Sequence, residues 1–218
     1  MSAPASTGTA TEIEATLLSL FATPVALVDL PDAAALNTAL RATILAREAA
    51  TASSAHSNLG GWQSDWELER WGGPAARRVI EAAKALAARL TVDRAGKPVA
   101  IAWKVNAWAN VNRAGHANEF HTHPGCYWSA SYYVDDGGIA ADPALGGGFE
   151  IQDPRGVAPA MYAPLLAFAV PGGRAVGASE VIRPHAGMLM LFPAWLSHGV
   201  RPYAGSATRI SVALNLSL

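Results

Sequence analysis

Apolar residues recur with the period of a helix in the first half of the chain and with the period of a strand in the second. In "DLPDAAALNTALRATILAREAA" Leu36, Leu40, Ile44 and Leu45 return at three- and four-residue intervals, which puts them on one face of an α-helix. Asp32 precedes that stripe, near the expected N-terminus, where a short polar side chain can cap free backbone N–H groups. Val79, Ile80, Ala83, Leu86 and Leu90 form a second stripe in "GPAARRVIEAAKALAARL" and predict a second helix. The preceding "FATPVALVDL" reads as a strand, and the Ser-, Asn- and Gly-rich "TASSAHSNLGGWQSDWELERWGG" between the helices reads as a loop.

From residue 98 onward the pattern alternates. In "VAIAWKVNAWANVN" Val99, Ile101, Trp103, Val105 and Val111 share one face, and Lys104, Asn106, Trp108, Asn110 and Asn112 share the other. In "TRISVALNLSL" Ile210, Val212, Leu214 and Leu216 oppose Arg209, Ser211, Ala213 and Asn215. Each strand thus has one core-like face and one polar face. This predicts a mostly β fold with N-terminal helices, in which the helices pack on one sheet of a jelly roll and the polar faces line its interior.

Length and composition add limits to this picture. A chain of 218 residues, 51% hydrophobic and 15% charged, suits one globular domain. Residues 1–12 read as a flexible tail and 13–218 as the domain, with 13–97 largely helical and 98–218 the β part. The net charge of −1, without a basic run, offers no stripe for nucleic acid. The longest apolar segments, such as "GMLMLFPAWL", fall short of the roughly eighteen residues of a membrane helix. The single cysteine, Cys126, has no partner for an internal disulfide and reads as a small packed hydrophobe. The opening residues lack the pattern of a secretory leader, so the expected location is cytoplasmic. A homodimer is compatible with the sequence.

The chemistry concentrates in the histidines. His121 and His123 in "EFHTHPGCYWSASYYV" stand two residues apart, a spacing that on a strand sends both imidazoles to one side. His198 in "GMLMLFPAWLSHGVRPY" follows an apolar strand and can supply a third ligand. An isolated His-x-His is more often a surface pair than a metal site; the third histidine changes that balance.

Together "FHTHPGCYWSASYYV", "GGGFEIQDPR" and "PHAGMLMLFPAWLSHGVRPYAGSATRISVALNL" resemble the iron(II)- and 2-oxoglutarate-dependent oxygenases, most closely a bacterial branch of that superfamily. The resemblance covers roughly residues 98–218. It implies a double-stranded β-helix, Fe(II) and 2-oxoglutarate as cofactor and cosubstrate, and dioxygen as a reactant. Hydroxylation of an unidentified substrate would release succinate and CO2. In the superfamily a His-x-Asp/Glu pair and a distal His bind iron, and a downstream Arg or Lys holds the cosubstrate's remote carboxylate. The resemblance therefore makes His121 the first ligand, His198 the distal one and Arg209, eleven residues later, the anchor. Tyr133 in "YYV" is its candidate hydrogen-bonding partner. The departure is His123, which stands where the superfamily has a carboxylate. It is the expected middle ligand, with Glu150 and Asp153 as substitutes and Glu119 a poorer one.

Several residues carry bland readings beside functional ones. Arg209 can be a solvated charge, Tyr133 a core tyrosine and Arg201 a rim charge; Trp108 and Asn110 can be packing or substrate wall. His56, His116 and His185 have only their residue type to recommend them. The Trp-rich segment 60–71, also similar to the bacterial branch, can be a lid or a seal between helix and sheet. Two other function classes fit a jelly roll. One is a cupin-type three-histidine dioxygenase or isomerase that does not use 2-oxoglutarate, and "PAWLSH" matches the cupin Pro-x-Gly-x-x-His spacing except at Trp195. The other is a non-catalytic small-molecule-binding module.

Overall fold

The computed structural model describes residues 21–156, 163–170, 173–175 and 177–218; the tail expected at 1–12 lies outside them. Strand β1 (Ala26–Asp29) leads into helix α1 (Ala33–Ala50). Asp32 occupies the N-cap of α1 but makes no capping bond there; its carboxylate lies 3.4 Å from the Arg78 guanidinium instead. The connection expected as a loop carries β2 (Asn58–Leu59), β3 (Trp62–Gln63) and the single-turn α2 (Leu68–Trp71). Helix α3 (Gly73–Leu90) completes the helical part.

The β part begins with β4 (Lys104–Asn112), β5 (Ala117–His121) and β6 (Trp128–Asp135). It continues through β7 (Phe149–Gln152), β8 (Phe168–Val170), β9 (Gly173–Ala175) and β10 (Ser179–Ile182). It closes with β11 (Met188–Pro193), β12 (His198–Val200) and β13 (Arg209–Ser217). Strand β4 starts at Lys104, opposite Ser217 at the end of β13, so Val99 to Trp103 lie outside the ladder.

Two antiparallel sheets result. The larger runs β1-β11-β6-β13-β4-β3 and the smaller β10-β7-β12-β5-β2, while β8 and β9 pair as a separate ribbon. Strands distant in sequence are neighbours in both sheets, which is the crossing pattern of a double-stranded β-helix.

The alternation in sequence explains the packing. Ile210, Val212, Leu214 and Leu216 of β13, with Ala107, Ala109 and Val111 of β4, face Leu36, Leu40 and Ile44 of α1 and Val79, Ile80 and Ala83 of α3. Leu90, the last residue of the α3 stripe, falls at the helix end and is 36% exposed. Strand β11 is buried on both sides, which is why it reads as an unbroken apolar run. Its Leu189 and Leu191 join the helix-side core, whereas Met190 and Phe192 pack between the sheets with Phe149, Ile151 and Leu196. No described helix is long and apolar enough to cross a membrane.

Leu40 is fully buried between α1 and the large sheet. Leu40→Ala is expected to lower unfolding free energy by about 2–5 kcal/mol, as large-to-small core changes do. Urea denaturation of the variant beside the parent measures it, and a loss below about 1 kcal/mol would contradict this packing.

Candidate metal centre

His121 ends β5 and His198 begins β12, and the two residues are direct cross-strand partners. His123 lies two residues beyond β5, so it does not share a strand with His121 as the sequence spacing suggests. Its backbone N–H donates to the Ala194 carbonyl at 2.9 Å, which fixes it to the turn after β11. The ring centroids lie 4.4 Å apart for His121–His198, 4.9 Å for His121–His123 and 5.1 Å for His123–His198. One ring nitrogen from each lies within 4.8 Å of the others. This is a spacing that a single cation can bridge with modest side-chain adjustment.

Backbone carbonyls set two of the three tautomers. The Nδ1 of His121 faces the Glu119 carbonyl at 2.8 Å, and that of His198 faces the Leu196 carbonyl at 2.8 Å. A nitrogen that faces a carbonyl must donate, so it carries the proton and leaves Nε2 as a lone pair. Burial, with Phe149 stacked at 5.1 Å and Phe192 edge-on at 4.7 Å, surrounds His198 with apolar surface. Desolvation lowers its pKa to about 3, opposed by the bond to Leu196 and helped by His121 and His123. His123 is lowered to about 4, first by burial and then by His121. Both are therefore neutral, the ligand-competent form, at neutral pH.

Arg209 sits on the polar face of β13 and is only 2% exposed. Its guanidinium carbon lies 5.3 Å from the centre of the Tyr133 ring. Burial pulls the Arg209 pKa down, and it pushes Tyr133 up against the opposing effect of the Arg209 charge. Among the described residues, neither the Arg209 Nε nor the Tyr133 hydroxyl has a hydrogen-bond partner. A buried guanidinium with no salt bridge among the described residues is costly, and an anion bound beside it would offset that cost. The same narrow cavity is walled by Arg209, Tyr133, Ser131, Ser211, Asn110 and the three histidines.

The alternative carboxylates are engaged elsewhere. Glu150 points away from the inward Phe149 and Ile151, receives Arg201 at 2.7 and 3.0 Å, and accepts from the Ser179 hydroxyl at 2.5 Å. Asp153 is held by Arg155 at 2.9 and 2.5 Å. Neither joins the histidine cluster. Glu119 is exposed and supplies its carbonyl to His121. Arg201 is a rim charge, paired with Glu150. His116 accepts from the Arg113 N–H within a turn, and His185 contacts Asp29 at 2.5 Å.

A wider cavity of about 520 Å³ opens beside His121 and His123. Trp108 lines both cavities and Asn110 the narrow one. His56 stacks on Trp66 at 5.0 Å along the wide cavity, beside Gln63, Asn106 and Asn215. Sequence reasoning assigned no site role to Trp66, Gln63, Asn106 or Asn215. Asn106 and Asn215 were nevertheless legible by alternation, since they share strand faces with Trp108 and Arg209. The Trp-rich segment partly seals and partly lines. Trp62 is buried and donates to the Thr51 carbonyl at 3.0 Å, whereas Trp66 is 50% exposed at the cavity.

A jelly roll with three converging imidazoles, beside a buried arginine that has no salt bridge among the described residues, fits a metal-dependent site with an anionic cosubstrate. The family model described as "Putative 2OG-Fe(II) oxygenase" matches residues 106–215, from β4 to β13. The chain belongs to this family and is an iron(II)- and 2-oxoglutarate-dependent oxygenase. Solved structures agree on the fold. A prolyl-4-hydroxylase from Pseudomonas putida is 18% identical, with a TM-score of 0.62 over 89% of this chain and 92% of that one. A Trichoplax adhaerens prolyl hydroxylase, solved with a hypoxia-inducible-factor peptide fragment, is 14% identical, with a TM-score of 0.63 over 88% and 83%. HygX from Streptomyces hygroscopicus, solved with nickel and 2-oxoglutarate bound, is 11% identical, with a TM-score of 0.58 over 89% and 83%. No curated protein sequence matches the chain. The donor set fits the family's cofactors: three imidazoles suit a divalent iron, and a buried guanidinium whose Nε has no hydrogen-bond partner among the described residues suits a carboxylate.

The low histidine pKa values fix a pH dependence. An unfolded histidine takes up its proton near pH 6.5, whereas the fold keeps protons off His123 until about 4 and off His198 until about 3. Between these limits the unfolded state binds more protons, so acidification favours unfolding. The metal-free protein is expected to be least affected above pH 6.5 and to lose stability steadily as pH falls toward 4. Denaturation midpoints at stepped pH, compared with His198→Ala, test this; the same slope in both proteins would contradict it.

Proposed function

We propose that His121, His123 and His198 hold the iron, that Arg209 and Tyr133 hold the remote carboxylate of 2-oxoglutarate, and that the protein hydroxylates a substrate seated in the wide cavity. The observation that carries this reading is the buried Arg209. It lines the same narrow cavity as the histidine cluster, entering from the large sheet while His121 and His198 enter from the small one, and among the described residues its Nε is free beside an equally free Tyr133 hydroxyl. Bound together, iron and 2-oxoglutarate supply the oxidative decarboxylation that drives insertion of one dioxygen atom into a C–H bond. The chain's own residues supply position and charge.

Three imidazole ligands bring no negative charge to a divalent ion, so the dianionic cosubstrate would balance it, and Arg209 would balance the carboxylate at the far end. Phe149 and Phe192 keep water from the His198 side. Tyr133, held neutral by burial, donates its hydroxyl proton toward the same carboxylate. Trp108 stands between the cosubstrate side and the open cavity, where it orients whatever lies against His123.

Cavity chemistry narrows the substrate. A space of about 520 Å³ suits a small molecule or a single side chain with its neighbours. The described lining offers the Trp66 and Trp108 faces and the carboxamides of Gln63, Asn106 and Asn215, with no Lys or Arg. This supports a neutral or cationic polar substrate over an acid. His123 in place of a carboxylate favours the cupin-type alternative, but that reading leaves the buried Arg209 without a purpose.

Iron- and oxygen-dependent release of succinate from 2-oxoglutarate tests the assignment. His198→Ala is expected to abolish iron binding. Arg209→Ala is expected to keep iron and weaken 2-oxoglutarate at least about 30-fold, the scale of losing one partner of a buried charge pair. Anaerobic calorimetric titration reads both. Unchanged cosubstrate affinity in Arg209→Ala would overturn the anchor, and succinate-free turnover would favour the cupin alternative.

A further inference from the structure

The third imidazole is oriented differently from the other two. His121 and His198 each meet a backbone carbonyl two residues earlier in their own segment, which no substitution removes. The Nδ1 of His123 instead meets a side chain: the Asn215 amide nitrogen lies 3.2 Å away. Asn215 is on β13, and its amide oxygen accepts from the Ser129 hydroxyl at 2.8 Å. Ser129 is buried on β6 as the direct cross-strand partner of Asn215. A three-membered chain therefore runs from the large sheet to His123.

The chain has two consistent proton arrangements. With the amide NH2 toward His123, Nδ1 accepts, the ring proton sits on Nε2, and that nitrogen has no lone pair for a cation. Turning the amide over presents its oxygen to an Nδ1–H and its NH2 to the Ser129 hydroxyl, which accepts as readily as it donates. Only the second arrangement frees Nε2. Leucine at 215 would support neither, and aspartate would support only the second.

We propose that Asn215 is the positioning residue for the third ligand: with its amide turned over on Ser129, so that its oxygen accepts from Nδ1–H, it holds His123 in the tautomer whose Nε2 joins His121 and His198 at the cation. This rests on the three-histidine reading above. It also explains why a carboxamide, able to serve both arrangements, stands at the inner end of a cavity it also lines. Metal uptake then involves an amide reversal and a proton shift within one ring, with no strand moving.

The full-length protein is titrated anaerobically with Fe(II), and with Co(II) as a spectroscopic probe, by calorimetry and absorption. Asn215→Leu is expected to weaken metal about 10- to 100-fold, the usual effect of removing a ligand's outer hydrogen bond. Asn215→Asp is expected to bind at least as tightly as the parent, and Ser129→Ala to fall between. In a His123→Ala background Asn215→Leu should add nothing. Nitrogen-15 spectra of the metal-free histidines supply an independent readout, with the His123 proton on Nε2 in the parent and on Nδ1 in Asn215→Asp. That measurement serves even if the leucine variant fails to fold. Parent-like metal affinity in His123→Ala overturns the three-histidine reading and this proposal together. Weakened metal in His123→Ala beside unchanged metal in Asn215→Leu overturns the proposal alone, as does a leucine effect that survives in the alanine background or appears only in substrate KM.

Discussion

Strand β13 lies between β4 and β6, and its register constrains everything that faces the cavity. It pairs with β4 from Arg209↔Asn112 to Ser217↔Lys104 and with β6 from Ile210↔Asp135 to Leu216↔Trp128. A slip of one residue would turn Ile210, Val212 and Leu214 into the cavity and drive Arg209 into the helix-side core. The burial of four aliphatic side chains against α1 and α3 opposes that slip. The hydrophobic packing on the outside of the sheet thereby holds a charged group on the inside, where it has no salt bridge among the described residues.

Charge balance follows from the same arrangement. The histidine cluster contributes no negative charge, the nearby carboxylates are tied up by Arg201 and Arg155, and the guanidinium is the cavity's buried cation. An iron held by the three histidines would add to the positive charge of Arg209, and a bound dicarboxylate would offset both.

Alternation made the β part legible. The polar face of "TRISVALNLSL" announced Arg209, and the apolar run "GMLMLF" announced a strand buried on both sides. The histidines were found by type and spacing, yet His123 reaches the cluster from a turn through its bond to Ala194, a tertiary contact that no local period reports. Strands β2 and β3 and helix α2 were hidden because two- and four-residue elements are too short to establish a period. Asn215 was placed on the correct face but given no role, since its meaning depends on a ring nitrogen distant in sequence.

The Trp-rich segment has a mechanical side. Trp71 donates to Asp65 at 2.8 Å, and Arg47 of α1 binds the same carboxylate at 2.6 Å while lying 5.3 Å from the Trp71 ring. Trp66, next to that clasp, forms part of the wall of the wide cavity. The last turn of α1 is thus riveted to the rim of the cavity, and the aperture keeps its shape only while that helix keeps its seat. Selection for a new substrate has a lever in α1, well away from the metal, that can reshape the entrance while leaving every ligand in place.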